Sequence, residues 1–302
     1  MAAVRDLKRT AVDVVVPFAG AAAQLERLVA RLGDVQLRAD DSLTIVDNRR
    51  GAPAAAGANL LAAPERQSSY YARNRGAAVG RAPWILFLDA DVVAPPDIVD
   101  RYLATPVDAR TAVLAGAIRD IEPEGGSAVA RRYARFSQPL NDETAWQPGF
   151  AYAQTASAAV RRRAFEEVGG FAEVVSGGDA DLCFRLVKAG WAIERRPEAV
   201  VEHFSRASIR GLMRQNARYG AGTQWLERRH PGFAPPRQRL RAVKAALLGG
   251  VQGAVAFARG DRDAAVRKAI DPLCLVAFEA GRHRTNELDG SSAVRRPPYA
   301  AE

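Results

Sequence analysis

Cysteine is nearly missing from this chain of 302 residues: there are 2, Cys183 and Cys274. They are too few and too far apart for a disulfide framework or a cysteine-based zinc site, which points to a reducing compartment and a fold held by packing. Lysine is scarce as well, present only at positions 8, 188, 244 and 268, so the net charge of +9 rests almost wholly on arginine. Arginine's planar fork suits phosphate, which leaves nucleic acid, an anionic membrane surface or a phosphorylated substrate as candidate partners. The arginine pairs and triplets at 49–50, 131–132, 161–163, 195–196, 228–229 and 295–296 are scattered among acidic residues. A nucleic-acid binder gathers its cations on one face with interleaved aromatics, so nucleic acid is not expected as a partner. The first residues carry Arg5, Asp6, Lys8 and Arg9 and no apolar core of a secretory signal. The uncharged stretch 245–258 is Gly-rich, interrupted by Gln252, and short of the ~20 residues that a membrane-spanning helix needs. The expectation is a soluble, cytoplasmic chain, with peripheral contact at the inner face of the membrane left open.

What is present is a balance of 48% hydrophobic and 25% charged residues, which rules out a disordered tail or a collagen-like fibre. Val12 to Val16 reads as a buried strand ending at Pro17, and Ala22 to Leu32 as a helix with Leu25, Leu28, Val29 and Leu32 on one face. Leu43 to Val46, Trp84 to Leu88 and Val113 to Ile118 read as further strands. This alternation predicts an α/β fold with a parallel sheet flanked by helices. Pro17, Asp47 and Asp89 stand at carboxyl ends of strands, where open α/β sheets bind ligands. Ala128 to Phe136 and Asp181 to Ala189 read as helices, 137–150 as a loop, and 231–241 as a Pro- and Arg-rich boundary before an Ala/Leu/Val-rich helical appendage.

Chemistry concentrates in Phe87-Leu88-Asp89-Ala90-Asp91, a hydrophobic strand ending in two carboxylates one residue apart. Such a D-x-D turn offers oxygen ligands to a hard divalent ion that also binds substrate phosphates. Taken alone, it reads more readily as a strand-end turn whose Asp side chains cap backbone amides. The surrounding segments decide between these: Val14-Val15-Val16-Pro17, Ile45-Val46-Asp47-Asn48, Ala72-Arg73-Asn74-Arg75-Gly76, Val168-Gly169-Gly170-Phe171, Gly178-Asp179-Ala180-Asp181-Leu182-Cys183 and Gln215-Asn216-Ala217-Arg218-Tyr219-Gly220. Together and in this order they resemble the inverting, nucleotide-sugar-dependent glycosyltransferases of family 2, which are built on the GT-A fold.

The resemblance implies a role for each matching residue. Asp47 would accept hydrogen bonds from the nucleotide base, Pro17 would line the base pocket, and Arg73 would reach the base or phosphates. Asp89 would face ribose and sugar. Asp91, with His203 as a further ligand, would hold Mn²⁺ or Mg²⁺ against the donor diphosphate. Asp179 would be the general base that takes the proton from the acceptor hydroxyl, with Gly177 and Gly178 letting backbone approach the sugar. Arg218 and Gln215 would contact the acceptor or the diphosphate. UDP is the favoured nucleotide. Two positions depart from the family pattern: Gly178 stands where Glu is common, and Phe18-Ala19 where Tyr-Asn is common, which puts acceptor and donor contacts in question. Gln215-x-x-Arg218-Tyr219 resembles the Gln-x-x-Arg-Trp of processive synthases, but with no transmembrane helices expected after it a non-processive transfer is preferred.

Two rivals stand beside this reading. A sugar nucleotidyltransferase shares the sheet and metal logic but should carry a basic Gly-rich loop after the first strand, where Phe18-Ala19-Gly20-Ala21 has no cation. The other is a catalytically inactive nucleotide-binding or membrane-surface adaptor with the same fold; in its basic membrane or nucleic-acid form, neither metal nor nucleoside diphosphate should stabilise the chain. The expected domains are a catalytic domain over 1–230 and a helical appendage with a flexible tail over 231–302. Ala242 to Phe257 and Ile270 to Ala280 are its helices, packing on the catalytic domain, forming a homodimer, or lying on anionic lipid.

Overall fold

The computed structural model describes residues 9–51, 59–123, 125–136 and 143–288. In chain order the elements are β1 (Val12–Phe18), α1 (Ala22–Leu32), β2 (Ser42–Asp47), β3 (Leu60–Ala62), α2 (Ser69–Val79), β4 (Trp84–Leu88), β5 (Val92–Val93), α3 (Ile98–Tyr102) and β6 (Thr111–Ile121). They continue with α4 (Ala128–Ala134), β7 (Ser157–Arg161), α5 (Arg162–Glu167), α6 (Gly178–Lys188), β8 (Ala192–Phe204), α7 (Ile209–Arg229), α8 (Arg239–Ala258) and α9 (Arg262–Gly281). The strands form one sheet in the order β3-β2-β1-β4-β7-β6-β8-β5. Every residue of β1 is buried, and its side chains alternate between two cores. Val15 packs with Phe87, Phe165 and Phe171 on one face of the sheet. Val14 and Val16 pack with Leu28, Leu86 and Tyr102 on the other. A strand covered on both faces reads as a continuous apolar run, which is why β1 and β4 were legible.

The parallel arrangement expected for the first strands holds, and the second half of the chain makes the sheet as a whole a mixed one. Strands β1, β2, β3 and β4 are mutually parallel, as are β6 and β8, but β7 runs against both β4 and β6. The chain leaves β6 and enters β7 at the same end of the sheet, so no crossover intervenes. The short β5 is antiparallel to β8. One correction concerns length. The apolar stretch judged too short to span a membrane belongs to α8, a helix of 20 residues that is long and apolar enough to do so by length and composition.

Local chemistry explains how α2 meets the sheet. Ser68 caps it, accepting from the Tyr70 and Tyr71 amides. A Cβ on Gly76 would collide with Val15 and Val46, so glycine lets the helix lie directly on β1 and β2. Asn74 donates to the Phe171 carbonyl and accepts from its amide, both at 2.9 Å, which fixes the Gly169-Gly170-Phe171 turn beneath the helix. Both glycines of that turn have positive φ. Buried Asp13 is answered by Arg162 at 2.7 Å and by the Ala82 amide, tying β1 to α5. Gly220 of α7 and Gly281 of α9 let those two helices touch backbone to backbone.

Candidate active site

A cleft of about 1120 Å³ opens beyond the carboxyl ends of β1, β4 and β6. Pro17, Arg73, Asp89, Asp91, Asp179, His203 and Arg218 all line it, brought from positions far apart in the chain. Asp47 and Gly178 do not. Asp47 lies behind Arg49, whose guanidinium holds it through Nε at 2.9 Å and a terminal nitrogen at 2.6 Å. That hydrogen bond keeps the Asp47 carboxyl below its ordinary range. Arg49 in turn lies over the Phe18 ring, which does face the cleft. Gly178 is turned inward, with the Tyr70 ring 2.8 Å from where a Cβ would be. The glycine therefore makes room for an aromatic ring of α2.

On one wall, Arg73 is nearly fully buried on α2 and forms an ion pair with Asp89. Its Nε is buried without a hydrogen-bond partner among the described residues. Its guanidinium lies 5.4 Å from the centre of the Tyr70 ring. The Tyr70 hydroxyl donates to Asp179 Oδ1 at 3.2 Å, and the Ala180 amide donates to the same oxygen at 3.0 Å. Asp179 is the second residue of α6, whose entry residue Gly177 has φ of 84°. Burial raises the Asp179 carboxyl above its ordinary range, against the lowering influence of Ala180, Arg73 and Tyr70. Asp181 does not line the cleft. It is fully buried and joined to Arg185 at 2.8 Å, Arg229 at 3.0 Å and His230 at 2.9 Å, which anchors α6 to the end of α7.

The opposite wall holds Asp91 and His203, which meet because β5 pairs with β8 in a register that places Val92 opposite His203. His203 Nε2 stands 3.5 Å from Asp91 Oδ2, and Nδ1 is 2.6 Å from Asp120 Oδ1. Burial opposes a charge on this imidazole, but the two carboxylates outweigh it and push its pKa up to about 10. Asp91 is also opposed by burial and is held below the ordinary carboxylate range by His203 and by Arg206, which approaches to 3.3 Å. Arg31 of α1 donates to the Ala90 carbonyl at 2.9 Å and so steadies the D-x-D turn from beneath.

Tyr70, Asp120 and Arg206 were not anticipated. Asp120 could have been found, since it is the last but one residue of β6, near the carboxyl end where the strand-end rule applies. Tyr70 and Arg206 carry no such local signal and are placed by the packing of α2 and by the turn after β8. Beyond these carboxylates and cations, Tyr152, Tyr219, Leu226, Phe233 and Phe278 give the cleft an aromatic and apolar side.

A parallel half-sheet followed by the Asp89-Ala90-Asp91 turn, joined to a mixed half-sheet that brings His203 and the acidic start of α6 to the same cleft, matches the GT-A fold. Residues 84–258 match the model of glycosyl transferase family group 2, and the chain belongs to that family. It is 32% identical over 232 residues to the pre-mycofactocin glycosyltransferase of Mycobacterium tuberculosis, covering 74% of this chain and 49% of that protein. It is 28% identical over 164 residues to the glycosyltransferase AglE of Haloferax volcanii, covering 54% of this chain and 53% of that one. The chain thus spans about half the length of these curated relatives. In three dimensions it is similar to the mannosyltransferase PcManGT of Pyrobaculum calidifontis, with a TM-score of 0.60, 17% identity, and 91% and 88% of the two chains covered.

Proposed function

We propose that this protein is a metal-dependent, inverting and non-processive glycosyltransferase that moves a sugar from a nucleoside-diphosphate donor, UDP-linked by preference, to an acceptor hydroxyl. The observation that carries the reading is the arrangement of one cleft with a buried, proton-seeking carboxylate, Asp179, on one wall and the Asp91–His203 pair on the other. The acceptor hydroxyl would give its proton to Asp179 as its oxygen attacks the anomeric carbon. The bond from that carbon to the phosphate oxygen breaks, its electron pair leaves with the nucleoside diphosphate, and displacement from the opposite face inverts the centre. Arg73, held by Asp89 and keeping an unpartnered Nε, is suited to hold the donor in line. Pro17 and Phe18 border the base side of the cleft and Arg218 the other.

The residues present fit a divalent ion. Asp91 and His203 would hold it, and Asp120 on Nδ1 fixes the ring so that Nε2 faces Asp91, the usual support for a ligating histidine. Among the described residues no group of three or more His, Cys, Asp or Glu side chains converges on one point. That suits Mn²⁺ or Mg²⁺, which takes few protein ligands and the rest from phosphate and water. Such an ion would neutralise charge on the departing diphosphate. PcManGT is described with GDP-Man and Mn²⁺, which supports manganese and makes GDP the natural competitor to UDP in a screen.

The division into a catalytic domain over 1–230 and an appendage over 231–302 belongs to the same proposal. Within it, Cys274 and Phe278 of α9 line the cleft, so the appendage would supply a wall of the site. Homodimerisation and contact with the inner face of a membrane both turn on the outer surface of α8. The test is thermal denaturation with UDP, GDP and dTDP, each with and without Mn²⁺. A ligand at a hundredfold its Kd stabilises the folded state by about 2.7 kcal/mol, a shift of several degrees at this size. No shift with any nucleotide, with or without metal, would defeat the proposal in favour of an inactive adaptor.

A further inference from the structure

Helix α8 is built inside out. Its buried residues are Ala242, Gly249, Gly253 and Ala256, so its buried face is made of small side chains. Gly249 sits against the Lys268 backbone and the Pro272 ring, and Gly253 lies 3.1 Å from the Ala265 carbonyl by its would-be Cβ. The large apolar residues point the other way. Leu240 is 81% exposed, Leu247 71%, Val251 65%, Phe257 64% and Leu248 60%, with Val243 and Val255 beside them. At about 100° per residue, Leu240, Leu247, Val251 and Val255 form one stripe opposite the buried glycines and alanines. A continuous apolar face of this size exceeds what a monomer normally leaves in water.

Charge identifies what covers it. The helix contains no acidic residue, and its cations are at the beginning: Arg239, Arg241 and Lys244 are all exposed, with Arg237 just before them. Exposed Arg259 and Arg262 follow its far end. Lys244 falls on the apolar stripe itself, where a long stem can lie along hydrocarbon and lift its ammonium to a phosphate. A second copy of this face would set these like charges together, whereas an anionic bilayer satisfies both stripe and cations. A spanning arrangement does not suit the neighbouring helix, since α9 carries Arg262, Asp263, Arg267, Lys268 and Asp271 alongside α8 and packs on α7. A groove of about 560 Å³ between α8 and α9 is lined by Leu248 and Gln252 on one side and Arg267, Lys268 and Asp271 on the other, two cations and one acid at the edge of the stripe.

We propose that α8 lies flat on an anionic phospholipid surface, its Leu240–Leu247–Val251–Val255 face in the acyl boundary and Arg239, Arg241 and Lys244 among the phosphates. The cleft wall formed by α9 then stands one helix away from the membrane.

The test is flotation of the full chain with phosphatidylcholine vesicles, with and without phosphatidylglycerol, at low and physiological salt, together with the mass of the free protein in solution. The expected result is binding that requires phosphatidylglycerol and weakens with salt. Replacing Arg241→Gln and Lys244→Gln together should weaken it about 25-fold, at about fivefold per cation. Replacing Leu247→Ser and Val251→Ser together should weaken it more than tenfold. These side chains lie outside the core, so neither pair should lower the melting temperature. Failure of the unaltered chain to float with phosphatidylglycerol, or undiminished flotation of the Ser pair, overturns the proposal. So does a dimer that the Ser pair dissociates, or a Ser pair that melts early, since either shows the face covered by protein.

Discussion

Replacing Asp179→Asn separates the chemical task of this residue from its place in the fold. The two hydrogen bonds that reach Oδ1, from the Tyr70 hydroxyl at 3.2 Å and the Ala180 amide at 3.0 Å, can both be accepted by an amide oxygen, so the helix start and the α2 contact survive. What is lost is the ability to take a proton. General-base assistance is worth about a hundred- to ten-thousandfold, or about 3 to 5 kcal/mol of activation free energy. Stability should move the other way. Burial raises the carboxyl of Asp179 in the folded state. A raised acid contributes stability that is complete below its unfolded pKa, near 3.9, and lost as pH rises through the folded value. At neutral pH the ionised carboxylate is therefore a cost that asparagine removes. The assay is release of nucleoside diphosphate, with water as nucleophile until the acceptor is known, beside melting curves from pH 4 to 8. The variant should be slower by at least two orders of magnitude, melt at the same or a higher temperature at pH 7 to 8, and lose that advantage toward pH 4. A folded, donor-binding variant with near-normal turnover would refute the base assignment. A variant less stable than the unaltered chain at pH 8 would refute the argument from burial.

Tyr70→Phe removes the hydroxyl that steadies the ionised Asp179, so the acid limb of the pH–rate profile should move to higher pH and the rate below it fall about fivefold; an unmoved limb would show that this hydrogen bond does not bear on the base. Asp91→Asn should weaken nucleotide binding at least tenfold in the presence of Mn²⁺ and leave it unchanged in chelator, as read by titration; equal loss in both conditions would count against a metal at that position. Gly220→Ala places a methyl group against the Phe278 carbonyl and should force α7 and α9 apart, lowering stability by about 1 to 3 kcal/mol in denaturant unfolding.

Much of the cleft was legible in one dimension for a physical reason. Strands buried on both faces announce themselves as apolar runs, and the residue that ends each run lies where an open sheet binds its ligand, so Pro17 and Asp89 could be placed from sequence, whereas Asp47, chosen by the same rule, does not line the cleft. Gly76, Asn74 and Gly170 were visible only as parts of a recognisable segment. Their work, which is to let α2 touch the sheet and to hold a turn, needs the packed partner to be seen. The antiparallel insertion of β7 was hidden because SAAVR is short and its direction depends on where the chain enters the sheet. Likewise, the cover of Asp47 by Arg49, the inward turn of Gly178 and the orientation of His203 by Asp120 depend on contacts that local pattern does not encode.

The amino-acid sequence by itself determined the α/β class, the family resemblance and the carboxylates that end the strands, because these follow from hydrophobic period and motif order. Tertiary structure alone decided which way each side chain points. It set Tyr70 on Asp179, Asp120 behind His203, and the large apolar residues of α8 toward the outside. For α8 the sequence supplies an apolar helix without saying which side is inward. The small residues face α9 because only Gly and Ala allow two helix backbones to come that close, and the leucines and valines are left on the opposite face.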